Sequence, residues 1–172
     1  MCRTNRSPLE NAASSDDSFT AKLSQVADMP RHLADFVDRI PSTKWRTRAV
    51  SGGFSLQEHA CHLRDIEIEG YRARLERILA EAKPALADID GTELARQRDY
   101  LRQDLRRAQA VFAAVRADVV HRLASLSPEE RARTGLLDGV GEITVDGLVE
   151  AMLRHDAEHL SELEQLRREL TG

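Results

Sequence analysis

Apolar residues recur at helical spacing along most of the chain. Leu23, Val26, Leu33, Phe36, Val37 and Ile40 form one stripe and predict a first helix from about Phe19 to Ile40. Pro30 lies inside it, which allows two segments or one kinked helix, and Pro41 marks its end. Residues 41–54 read as a loop holding Trp45 and the turn pair Gly52-Gly53. Ser55-Leu56-Gln57-Glu58 then reads as a capping box, in which Ser55 and Glu58 each satisfy the other's backbone amide. It opens a second helix that runs to about Ala82, with Pro84 beyond it.

Residues 83–91 form a connection. Nearly extended at ~3.3 Å per residue, it spans roughly 30 Å, enough for a crossover that sets the next helix parallel to the second. A third helix is expected as one rod from Thr92 to about Leu126, with Leu94, Tyr100, Leu101, Leu105, Phe112, Val115, Val119 and Leu123 on its buried side. Ser127-Pro128-Glu129-Glu130 begins a short turn or helix, and the glycines of residues 134–143 predict a loop. Thr144 is a good N-cap for a fourth helix reaching about Leu170, with Val145, Leu148, Val149, Met152, Leu163 and Leu166 on its core face. Four amphipathic helices and no strand pattern predict an all-α four-helix bundle over 19–172. Residues 1–18, rich in Ser, Asn and Asp, are expected to be a disordered leader.

Composition narrows the function. At 172 residues, 41% hydrophobic and 31% charged, the chain is one globular domain, and its 4% aromatic content favours helices over strands. A net charge of −4 leaves no basic field for nucleic acid or an anionic membrane. No stretch approaches the ~18–20 apolar residues of a membrane span. The first residues lack the apolar core of a secretory signal, and Cys2 and Cys61 form no disulfide framework, so a cytoplasmic protein is expected.

Six histidines carry the chemistry. His155 and His159 stand i, i+4 on the fourth helix, so both imidazoles lie on one face and can converge on an ion at ~2.0–2.1 Å. Two satisfied core histidines would give the same pattern, and the metalloprotease motif is absent because residue 156 is Asp. The second helix offers His59 and His62. Periodicity makes His59 the more buried and does not choose the ligand. Asp65 and Glu69 (i+3 and i+7 from His62), with Asp156 and Glu158, are candidates to bond the second nitrogen of a ligand imidazole; a solvated surface is the plainer reading of each. Arg96, Arg98, Arg102, Arg106 and Arg107, interleaved with Asp99 and Asp104, read as a salt-bridged helix face. Tyr100 reads as core, and Cys61 as neither ligand nor nucleophile.

Two segments together resemble a known family. Phe54-Ser-Leu-Gln-Glu-His-Ala-Cys-His-Leu-Arg-Asp-Ile-Glu67, and the stretch from Gly141 through His155-Asp-Ala-Glu-His159-Leu160, resemble the second- and fourth-helix signatures of the DinB/YfiT-like superfamily. Ile40-Pro41, Trp45 and Arg98-Asp99-Tyr100 with Asp104 add to the likeness, which covers about residues 22–168. The resemblance implies an up-down-down-up bundle and metal ligands at His62, His155 and His159. His59 then falls where the family has an apolar residue, and Phe54 where it often has Trp. A divalent ion, zinc or nickel, is implied as cofactor, and a homodimer as assembly. Characterised members are transferases or isomerases using low-molecular-weight thiols such as bacillithiol, mycothiol or glutathione. The expectation is therefore a thiol S-transferase acting on an electrophile. The alternatives are a metal-dependent hydrolase and a non-catalytic metal-binding or dimerising protein.

Overall fold

The computed structural model describes residues 8–50 and 52–171. The apolar stripe of the first segment makes one helix, α1 (Pro8–Arg39), that continues through Pro30. Phe19, Leu23, Val26, Met29, Leu33 and Val37 are buried along it. The helical backbone over 8–18 departs from the disordered leader expected there; residues 1–7 of that leader lie outside the described residues. A helix already packed from Phe19 onward extends by one hydrogen bond per added residue, and proline suits a first helical position.

Below α1, a 3-10 turn (Ser42–Lys44) brings Trp45 back, and its indole nitrogen donates to the Ile40 carbonyl at 2.9 Å. The capping box at Ser55 and Glu58 forms, opening α2 (Leu56–Asp65). The rod then passes through a π-helical stretch (Ile66–Arg72) into α3 (Ala73–Ala80).

The third helix is not the single rod expected. It is divided into α4 (Gly91–Gln97), a 3-10 turn (Tyr100–Arg102) and α5 (Leu105–Ala124). One aspartate opens it and two more divide it. Asp90 caps α4 by accepting from the Thr92 and Glu93 amides, Asp99 takes a left-handed conformation (φ +45°), and Asp104 caps α5 by accepting from the Arg107 amide. Short polar side chains favour all three roles over helix interiors. A second capping box at Ser127 and Glu130 opens α6 (Pro128–Arg131), and α7 (Val145–Thr171) follows, with the Thr144 hydroxyl accepting from the Gly147 amide at 2.9 Å.

A small sheet also departs from the expectation of loops alone. β1 (Ala85–Leu86) pairs parallel with β2 (Thr134–Leu137), which pairs antiparallel with β3 (Gly141–Thr144). Strands of two to four residues are too short to show an alternating pattern, and their glycines read as turns. Gly135 serves a different purpose: a Cβ there would lie 2.7 Å from Leu86 Cδ1, so glycine lets β2 cross that side chain without displacing it.

The helices nonetheless make the expected four-helix bundle, with α1 packed on α5 and α7, and α2 on α5. One apolar cluster, around Val26, Ile78 and Met152, fills the end near the sheet; another, around Leu33, Leu63 and Phe112, fills the opposite end.

Candidate metal centre

Both helices that carry the histidine pairs bring them to one place. His62 projects from the second turn of α2, and His155 and His159 from adjacent turns of α7. The Nε2 of His155 lies 3.2 Å from that of His62 and 3.0 Å from that of His159. Three ligand nitrogens around a tetrahedral ion with bonds of ~2.0–2.1 Å sit about 3.4 Å apart. The spacing is therefore close to what one ion would impose.

Electrostatics favour the same use. Burial lowers His62 to about 3 and His155 to about 2, with the neighbouring imidazoles adding to the effect. Burial also lowers His159, against the opposing pull of Glu162. All three rings are neutral near pH 7, with lone pairs free to bind a cation. The Nδ1 atoms of His62 and His155 are buried and have no hydrogen-bond partner among the described residues. Four imidazoles, His59 included, thus gather with little but one another to bond, and a divalent ion within reach of three Nε2 atoms fits that donor set.

The four candidate carboxylates have other surroundings. Asp65 does not bond an imidazole: it accepts from Tyr100 Oη at 2.8 Å and pairs with Arg64 at 2.6 Å and Arg98 at 2.9 Å. Glu69 pairs with Arg98 at 2.6 Å. Arg98 therefore reaches across to the second rod, while Arg96 pairs within its own helix with Glu93. Asp156 is taken by the buried Arg116 at 2.6 Å, and Glu158 is exposed. The carboxylate that does meet a ligand imidazole is Glu162, which accepts from His159 Nδ1 at 3.0 Å. The i, i+3 spacing of His159 and Glu162 was the signal for it.

His59, 1% exposed, is more buried than His62 at 7%, as periodicity predicted. It stands outside the three-nitrogen group, with its Nδ1 3.2 Å from His159 Nδ1. Cys61 is buried and its thiol is pushed up to about 11, mainly by burial, which removes it as a nucleophile. Tyr100 is core, as expected.

The centre opens on a cleft of about 440 Å³. Phe54, Ile66, Tyr71 and Ile89 give it apolar walls, and Arg74 and Glu162 reach it from the rim. Gly91, the first residue of α4, closes the wall behind His62: a Cβ there would lie 2.4 Å from His62 Cε1.

Comparisons with known proteins show what the chain resembles. A protein of Oceanobacillus iheyensis named "Putative metal-dependent hydrolase" is 24% identical over 144 residues, which cover 84% of this chain and 83% of that one. Among solved structures, YfiT from Bacillus subtilis is described as a probable metal-dependent hydrolase with an unusual four-helix bundle topology. It superposes with a TM-score of 0.79 at 18% identity, covering 98% of this chain and 91% of its own. No helix among the described residues is long and apolar enough to cross a membrane. The model of the DinB superfamily matches residues 25–163, from α1 through the histidine pair of α7, and the chain belongs to that superfamily.

Proposed function

We propose that this chain is a metal-dependent enzyme that holds one divalent ion, zinc or nickel, through the Nε2 atoms of His62, His155 and His159. The observation that carries this reading is the convergence of three neutral imidazole nitrogens on the floor of an open cleft. When bound, such an ion supplies Lewis-acid activation to a thiol or water brought against it. The chain itself supplies position. His155 and His159 are fixed on one helix face, Glu162 holds the His159 proton at Nδ1 and leaves Nε2 to the ion, and Gly91 backs His62.

The favoured chemistry is thiol S-transfer. Of the carboxylates lining the cleft, Glu162 is engaged by His159, and Asp88 lies at the rim beside Arg74, 3.7 Å away. Among the described residues lining the cleft, no carboxylate therefore stands free as a base beside the histidines. A thiol, with a pKa of ~8.5, needs less help to ionise than water does. In the transfer a carbon–sulfur bond forms as the bond to the leaving group breaks. The leaving group departs with its electron pair, and the thiol proton passes to solvent. Hydrolysis is the second reading, supported by the names of the two relatives. A homodimer belongs to the same proposal.

Plasma mass spectrometry on untagged protein tests the centre. Wild type should carry about one equivalent of zinc or nickel, and His62→Ala, His155→Ala and His159→Ala far less. Wild type that is metal-free and takes up neither ion overturns the reading. Turnover of an alkylating electrophile only in the presence of bacillithiol, mycothiol or glutathione supports transfer; turnover without thiol supports hydrolysis.

A further inference from the structure

His159 presents its two ring nitrogens to two different groups. Its Nε2 faces His155 and His62. Its Nδ1 faces His59 Nδ1 at 3.2 Å and Glu162 Oε2 at 3.0 Å, and His59 Nε2 lies 3.9 Å from the same carboxylate oxygen. In each group the donor atoms lie within 4.8 Å of one another.

We propose that His59, His159 and Glu162 form a second divalent-cation position, occupied alternately with the inner one because the two share His159. Three observations support it. The donor set, two imidazoles and a carboxylate, is one that zinc accepts. His59 is fully buried, yet the groups that face its ring nitrogens are His159 and Glu162, so an ion there would satisfy it. Access exists as well. Glu162 is 57% exposed and borders both the main cleft and a smaller one lined by Gly52, Gly53, Phe54, His59 and Gln165. The outer position faces solvent through that smaller cleft, and the inner one faces the substrate cleft. An ion can therefore enter at Glu162 and pass to the inner nitrogens as the His159 ring exchanges the nitrogen that carries its proton.

This rests on the three-histidine reading of the inner centre, and the test separates the two. Zinc binding is measured by calorimetry on wild type, His155→Ala, His59→Ala and the double variant His59→Ala/His155→Ala, with folding checked by circular dichroism. His62→Ala replaces His155→Ala as the background if the latter does not fold. The proposal expects one ion in wild type and one, bound more weakly, in His155→Ala. Adding His59→Ala to that background should weaken binding further, by more than the ~10–100-fold that loss of a group merely bonded to a ligand costs. Cobalt(II) spectra should also differ between wild type and His155→Ala, because one set has three nitrogens and the other two nitrogens and an oxygen. If His155→Ala binds no zinc, or binds it equally well without His59, the second position is refuted and Glu162 only orients His159. If wild type binds none, both readings fall.

Discussion

Two buried polar clusters sit side by side on α7 and solve the same problem in opposite ways. At Asp156, the chain gathers two carboxylates around a buried arginine. Arg116, 1% exposed, donates to both Asp156 oxygens at 2.6 and 3.1 Å and to the Val26 carbonyl at 2.8 Å, and pairs with Glu67 at 2.8 Å. One residue earlier, at His155, it gathers neutral rings that face one another and leaves two Nδ1 atoms without partners. The first cluster contains its own cation and ties α1, the π-helical stretch, α5 and α7 together. The second lacks a cation and lies open to a cleft. Burial alone does not mark a functional site; neutral donor atoms gathered around one point at the floor of a cleft do.

The largest predicted effect separates the two. Arg116→Met leaves Glu67 and Asp156 buried without their partner and should cost ~3–5 kcal/mol, read from denaturant unfolding. Metal content of the folded fraction should be unchanged. Replacing all three members with apolar residues of similar volume should recover most of the loss. A smaller effect with Arg116→Met would mean that the two carboxylates do not depend on the arginine.

The histidine cluster should respond to pH. In metal-free protein, His62 and His155 are held near 3 and 2, whereas the unfolded chain takes up protons near the ordinary value of ~6.5. The unfolded state therefore binds more protons between those values, and stability rises with pH across that window. Urea midpoints should be flat above about pH 6.5 and fall as pH drops toward 3. The slope should shrink in a His62→Ala/His155→Ala variant.

The smallest effect tests the wall behind the site. Gly91→Ala puts a methyl group where the His62 ring lies, so the ring must move. Zinc affinity, measured by chelator competition, should fall ~10–100-fold, with a stability loss of ~1–3 kcal/mol in the metal-free protein. Unchanged affinity would show that His62 adapts and that α4 does not position it.

Much of this was legible in the sequence because helical periodicity and capping are local. The Ser55 box, the short helix beginning at Ser127-Pro128 and the Thr144 cap stand where the residues placed them. The break in the third helix was hidden because the apolar stripe runs on through it, from Leu94 to Tyr100 to Leu105. Only the polar chemistry of Asp99 and Asp104 divides it. The histidines were visible as candidates, but their supporting groups were not. Asp65 and Glu69 share a face with His62, yet Arg98, brought over by the left-handed turn at Asp99, claims both. A tertiary partner of that kind has no periodic signature.

The π-helical stretch of the second rod acts as a phase adjustment. An α-helix turns ~100° per residue, so nine residues of regular winding would put Tyr71 about half a turn away from His62, facing out of the cleft. The wider i→i+5 winding over Ile66–Arg72 holds that rotation back. Tyr71 and Arg74 consequently line the same cleft as His62 and Ile66. Deleting a single residue there would return the stretch to regular α winding and keep Tyr71 and Arg74 on the cleft side, whereas regular winding at full length would turn both away and dismantle that wall without touching a histidine.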